Sequence, residues 1–187
     1  MQSQITELNG KPVKLFKTNA EVQERIRQVA ETFNVKYKNS KNDVICIGIL
    51  NGAFMFYADV VKHFDFKLKA DFIRTSSYTD NKQTDEVKVF ADLKYEIEGQ
   101  HVIIIEDIID TGKSMLKVID FLSSMKPASI EIISLIGFST KQFPEAITSR
   151  LIYLFESNGG FFVGYGFDSC EYYRNLPDIY YHDPTSE

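Results

Sequence analysis

Glu106, Asp107 and Asp110 put three carboxylates within five positions, and Thr111-Gly112-Lys113-Ser114 follows them directly. That turn opens a helical pattern of apolar residues, Met115, Val118, Ile119, Leu122 and Met125. A helix N-terminus presents unpaired backbone N–H groups and the positive end of a dipole, which suits an anion. Ionised carboxylates accept hydrogen bonds from hydroxyl groups. The stretch therefore sets an anion cradle beside three acceptors. Gly-Lys-Ser alone invites a nucleoside-triphosphate P-loop, but that pattern needs a glycine five positions before Gly112, where Asp107 stands. The plainer alternative is a strand, loop and helix whose acids face solvent; three acids beside this turn exceed what a generic loop supplies.

The element leading into the acids is Val102-Ile103-Ile104-Ile105, four β-branched residues with no polar alternation. Such a run reads as a strand covered on both faces, the interior of a parallel sheet. Ligands of open α/β sheets bind outside the carboxyl ends of their strands, where these acids fall. After the helix, Lys126-Pro127 is a stop, and residues 129–136 form the next strand, so the motif sits in a strand–helix–strand unit. Residues 43–50 are a second buried strand, ending in Asn51-Gly52-Ala53 before a helix marked by Phe56, Tyr57, Val60, Val61 and Phe64. A Gly turn there again places backbone donors at the sheet edge.

Before this, residues 1–17 read as a strand or arm. Thr18 and Glu21 have capping-box spacing, and Val22, Ile26, Val29 and Phe33 form one face of a helix reaching about Tyr37. Residues 71–78 read as a strand passing into eight polar residues, 79–86, with another strand at 87–90. The polar segment fits an idle hairpin or a lid, and loop statistics favour the hairpin. His101, at the strand end opposite the acids, reads as a surface residue. Beyond 137 the periodicity fades, and 151–155 and 161–163 read as short strands of a lid or subdomain.

The chain has 187 residues, 44% hydrophobic and 25% charged, which favours one domain with a substantial core. A net charge of −5 without a Lys/Arg cluster argues against nucleic-acid binding. Two cysteines, Cys46 and Cys170, form neither a metal spacing nor a disulfide framework. The sequence shows neither a signal peptide nor an apolar run of about 18 residues, so a soluble, reducing, cytoplasmic setting without membrane partners is expected.

Residues 105–115 closely resemble the phosphoribosyl-pyrophosphate (PRPP) motif of type I phosphoribosyltransferases, in the form of the hypoxanthine(-guanine) branch. The resemblance implies a type I phosphoribosyltransferase-like α/β fold: one domain over 1–187, with a central parallel sheet flanked by helices spanning about 40–137. A small hood subdomain would come from the N-terminal arm and about 138–187. It implies that Glu106 and Asp107 hold the ribose hydroxyls, that Asp110 faces the purine N7 as the catalytic acid–base group, and that Thr111, Gly112, Lys113 and Ser114 wrap the 5′-phosphate. Leu50-Asn51-Gly52-Ala53 matches the family's pyrophosphate loop, whose first peptide bond is often cis. Many members carry Lys where Asn51 stands, which removes one cationic contact. Ser77 and Tyr78 match the start of the family's closing loop, which turns the expectation for 79–86 towards a lid.

The aromatic stretch Phe161-Phe162-Val163-Gly164-Tyr165-Gly166-Phe167-Asp168 reads, by itself, as a packed edge strand. It resembles the family's Phe-Val-Val-Gly-Tyr-x-Leu-Asp segment. The implied roles are stacking on the purine for Phe161, a backbone contact to the base for Phe162, and a place near Mg2+ for Asp168, with Glu106 and Asp107 as the other metal-side acids. Arg174 would act near pyrophosphate. The family reads the purine 6-oxo group with a lysine after the strand that follows the motif helix. Counting without gaps places Phe138 there, and a three-residue insertion places Lys141 there instead; Lys141 is preferred. The resemblance, which covers roughly residues 43–180, implies transfer of 5-phosphoribosyl from PRPP to a 6-oxopurine with Mg2+, by a homodimer or homotetramer. The rivals are a phosphoribosyltransferase for another base and a non-catalytic PRPP-sensing regulator of the same fold.

Overall fold

The computed structural model describes residues 6–8, 11–78, 86–138 and 140–182. Its elements, in chain order, are β1 (Glu7–Leu8), β2 (Lys11–Pro12), β3 (Lys14–Lys17), α1 (Asn19–Tyr37), β4 (Val44–Leu50), α2 (Phe54–Lys62), β5 (Leu68–Tyr78), β6 (Glu86–Phe90), β7 (His101–Ile108), α3 (Lys113–Ser123), β8 (Ser129–Phe138), α4 (Glu145–Thr148), β9 (Leu151–Ser157), β10 (Phe161–Val163) and β11 (Ile179–His182). Six strands make the central sheet in the order β6-β5-β4-β7-β8-β9, all parallel except the β5–β6 pair. A three-stranded antiparallel sheet, β10-β11-β3, lies apart from it.

The unbroken apolar runs follow from burial on both sheet faces. On β4, Val44 and Cys46 join α1 and α2 in one core cluster, while Ile45, Ile47 and Ile49 join α3 in another. On β7, Ile103 and Ile105 take the first side, and Val102 and Ile104 the second. Each buried isoleucine contributes about 1.5–3 kcal/mol relative to exposure, so a polar substitution in either strand would disrupt the layer that the residue faces. Ser134 is fully buried on β8, and its hydroxyl donates to the Ile136 carbonyl at 2.8 Å. Thr18 and Glu21 form the expected reciprocal capping box at the start of α1.

One expectation is corrected. Residues 151–155 do not belong to a lid, because β9 pairs in parallel with β8 as the edge strand of the central sheet. Ile147 and Phe143 also pack with α3, so the core continues past residue 137. Residues 161–163 do lie in the smaller sheet, where the N-terminal arm contributes β3. Ser77 and Tyr78 end β5, with backbones paired to Val87 and Glu86. The expected lid falls outside the described residues except for Glu86, which opens β6. No helix among the described residues is long and apolar enough to cross a membrane.

Candidate active site at the carboxyl edge of the sheet

The buried strand β7 delivers Glu106 and Asp107 to its last turn, and the chain then leaves the sheet through Ile109, Asp110 and Thr111. Gly112 is the N-cap of α3 at φ +77, a left-handed conformation that glycine adopts without steric cost. A Cβ at Gly112 would also stand 3.0 Å from Ile147 and 3.1 Å from Phe143. Packing beneath the turn thus sets the helix start. A cavity of about 130 Å³ opens over it, lined by Glu106, Asp110, Thr111, Gly112 and Ser114 among others. Lys113 is exposed.

The end of β4 approaches the same place. The Leu50–Asn51 peptide bond is cis, and Gly52 lies against the Asp107 carboxylate. A Cβ on Gly52 would sit 1.8 Å from Asp107 Oδ2, and a Cβ on Gly166 would sit 2.1 Å from the Gly52 carbonyl oxygen. Gly52 is therefore held between the Asp107 carboxylate and Gly166, with no room for a side chain at either glycine.

The carboxyl pair is desolvated. Burial, reinforced by the Asp107 charge, pushes the Glu106 pKa well above its ordinary value. Burial also raises Asp107, although its backbone hydrogen bonds and the Arg174 guanidinium pull the other way. Asp107 Oδ1 accepts from the Ile108 N–H at 2.8 Å, and Glu106 Oε1 from the Asp107 N–H at 3.1 Å. Two adjacent, half-buried carboxyls bind a proton, a cation or hydroxyl donors more favourably than fully solvated ones.

Asp110 also faces a larger cavity of about 370 Å³, whose lining includes Asp107, Phe138, Lys141, Phe161, Phe162 and Asp168. Lys141 ion-pairs with Asp110, and its ammonium lies 4.7 Å from the centre of the Phe138 ring. The β10 alternation turns Phe161 outward, 46% exposed, while Phe162 packs on Phe16 and Tyr181 at 5.1 and 5.5 Å between ring centres. Opposite, Arg174 bonds Asp168 at 2.7 Å, Glu171 at 3.0 Å and the Gly166 carbonyl at 2.8 Å.

The cavities thus gather the acids, the turn, Lys141 and the two phenylalanines; Gly52 and Arg174 reach them through Asp107 and Asp168. The Ser77 and Tyr78 side chains lie outside the described residues. Phe167, Gly159 and Gly160 also line the larger cavity and were missed as site residues. The signal was the Gly-Gly pair before Phe161: a Cβ at Gly160 would meet the Tyr181 ring at 2.0 Å. Among the described residues, no group of three or more His, Cys, Asp or Glu forms a metal cage. The acids suit instead a magnesium ion held by one or two carboxylates and completed by substrate oxygens and water.

A parallel sheet with a glycine turn, a cis-peptide loop and an acidic pair at its carboxyl edge fits one class, and comparison agrees. The phosphoribosyl transferase domain model matches residues 15–169, and the chain belongs to that family. It is 39% identical over 163 residues to the hypoxanthine-guanine-xanthine phosphoribosyltransferase of Tritrichomonas foetus, covering 85% of each chain. It is 33% identical over 178 residues to the hypoxanthine-guanine phosphoribosyltransferase of Aquifex aeolicus, covering 94% of this chain and 98% of that one. The solved hypoxanthine phosphoribosyltransferase of Trypanosoma cruzi superposes with a TM-score of 0.80 at 29% identity, covering 91% of both chains.

Proposed function

We propose that the chain transfers the 5-phosphoribosyl group of PRPP to a 6-oxopurine, drawn from hypoxanthine, guanine and xanthine, in purine salvage. The observation that carries this reading is the Lys141–Asp110 pair in an aromatic-walled cavity that adjoins the anion-directed turn. An ammonium donates to a carbonyl oxygen and cannot accept from the amino group of adenine, while a carboxylate accepts from N7–H. Their juxtaposition supports Lys141, rather than Phe138, as the base-reading residue, with Phe138 forming the wall behind it.

In the reaction the C1′–oxygen bond to diphosphate breaks and a bond from purine N9 to C1′ forms. Asp110 accepts the N7 proton, and Phe161 stacks on the ring while the Phe162 backbone meets the base. Glu106 and Asp107 hold the ribose hydroxyls; Thr111 to Ser114 hold the 5′-phosphate. The backbone of 50–52 and Arg174 hold the diphosphate, with Ser77 and Tyr78 at the start of a lid. This is catalysis by positioning and charge stabilisation. One or two of Glu106, Asp107 and Asp168 would hold Mg2+ together with substrate oxygens, and the ion would neutralise charge developing on the diphosphate.

We further propose a single domain over 1–187, with β10, β11 and β3 as its hood, working in the cytoplasm as a homodimer or homotetramer. The exposed Phe72 and Phe90 beside the sheet edge supply apolar area for self-association. A PRPP-dependent assay against hypoxanthine, guanine, xanthine, adenine, uracil and orotate tests the reading. Nucleoside monophosphate and pyrophosphate should form with 6-oxopurines; product from adenine alone, or from none of these bases, would overturn it.

A further inference from the structure

Tyr165 is fully buried, yet its backbone is left-handed at φ +52, between Gly164 at +90 and Gly166 at +104. Its hydroxyl donates to Asp59 Oδ2 at 2.6 Å, on α2. The same carboxylate receives Gln23 Nε2 from α1 at 2.5 Å and the Lys62 ammonium at 2.5 Å. Burial raises the Asp59 pKa, but Lys62, Tyr165 and Gln23 outweigh it and hold the group below its ordinary value. Burial and the neighbouring carboxylate push the Tyr165 phenol up, so it remains a donor. One charged acceptor thereby ties the centre of the 164–168 segment to two helices.

The next residue is where that tie becomes useful. Gly166 donates its N–H to the Arg174 carbonyl at 2.9 Å, and its own carbonyl accepts from Arg174 Nη1 at 2.8 Å. Its Cα side presses on the Gly52 carbonyl, leaving no room for a Cβ. Gly52 lies in the turn that starts α2, the helix that carries Asp59. The loop from β4 and the arginine segment are therefore indexed against each other by the helix between Gly52 and Asp59 and by the phenol–carboxylate bond. A buried phenol requires a hydrogen-bond partner in any case; here that partner is a carboxylate on the helix that begins just after Gly52, so the bond also links the two segments.

We propose that Asp59 and Tyr165 are a positioning pair that sets the spacing between Gly52 and Arg174, and so the affinity for the diphosphate of PRPP. The pair touches no substrate and acts through Gly166. The assignment of the diphosphate to Gly52 and Arg174 rests on the function proposed above. The pair should leave the purine end, at Lys141 and Phe161, unaffected.

Tyr165→Phe keeps the ring and removes the hydroxyl. In the full-length protein it should raise the KM for PRPP and the Kd for inorganic pyrophosphate with Mg2+ roughly tenfold, the size expected for a lost hydrogen bond to a charged group. The KM for the base should move much less than the KM for PRPP, since Lys141 and Phe161 lie on other segments than Gly166 and Arg174. Asp59→Asn keeps a carbonyl acceptor for the phenol and should retain most pyrophosphate affinity, whereas Asp59→Ala should match Tyr165→Phe. Unchanged pyrophosphate binding in Tyr165→Phe overturns the inference, as does a parallel loss at both substrates that tracks a fall in Tm. If Tyr165→Phe does not fold, the Asp59→Asn and Asp59→Ala contrast decides by the same measure. Wild-type protein that binds pyrophosphate but transfers phosphoribose to no base would defeat the proposed function and leave the positioning test standing.

Discussion

The turn after β7 and the aromatic wall between β8 and β10 are made of different material. The first uses main-chain atoms, held by a glycine at φ +77 and by the Asp107–Gly52–Gly166 stack, at the end of strands buried on both faces. The second uses side chains, Lys141 and the phenylalanines, carried on the segment after β8 and on the smaller sheet. Backbone donors fit any phosphate ester and change little when a side chain is replaced. Side chains select among bases and are replaced easily. Damage at the turn should therefore stop all turnover, while damage at the wall should alter which base is used.

Asp110, which lines both cavities, gives the largest expected effect. Asp110→Ala should lower kcat by about 10²–10⁴-fold, the range for a general acid–base group. PRPP affinity should survive, measured by titration without base; a variant keeping more than about a tenth of the wild-type rate would remove Asp110 from the proposed role. Gly52→Ala tests the main-chain side. The added Cβ must displace the Asp107 carboxylate, which it would meet at 1.8 Å. A misplacement of about 1 Å costs about 10²-fold in rate, and here the loss should be the same for every accepted base. A loss that differs between hypoxanthine and guanine would blur the division between the two ends.

Lys141→Ala should do the opposite, raising the KM for the base by ~10–100-fold, as expected for a lost hydrogen bond to a charged group. The KM for PRPP should hardly move, and unchanged base kinetics would show that Lys141 does not read the base. The smallest effect is on stability. The Glu106 carboxyl binds its proton more tightly in the folded chain than at its ordinary value of 4.5. Folded protein thus binds more protons than unfolded above that value, and stability falls as pH rises from about 4.5 towards the raised pKa. Glu106→Gln removes that slope, so its Tm should exceed wild type by an amount that grows with pH, about 2–4 °C for each kcal/mol in a chain of this size. Identical Tm–pH curves for the two proteins would mean that the carboxyl is not desolvated.

The sequence disclosed most where one cause dominates. Val102 to Ile105 could only be a strand covered on two faces, and the Thr18–Glu21 spacing marked a helix start that the capping box fulfils. The cis bond at Leu50–Asn51 came from resemblance, because the residue types there do not announce it. β9 reads as a short strand from its apolar run, Leu151 to Phe155, but such a run does not say which sheet the strand joins; at the sheet edge only Leu154 of it is buried. Lys141 stayed in competition with Phe138 because the choice depends on an insertion after β8, and a loop's length carries no periodicity. The Tyr165–Asp59 tie was invisible for a further reason, since 106 positions separate its two ends.

The core position of Cys46 on β4 has one more consequence. The side chain is fully enclosed, and burial pushes its thiol up to about 12. Only a thiolate reacts with an alkylating reagent, so the native chain shields Cys46 twice over, by access and by protonation. Cys170 is exposed, two positions from Asp168. The protein therefore carries a pair of internal clocks. Modification of Cys170 times events at the arginine segment and should slow with pyrophosphate if the diphosphate binds at Arg174 as proposed; modification of Cys46 in a Cys170→Ser background times the opening of the central sheet itself.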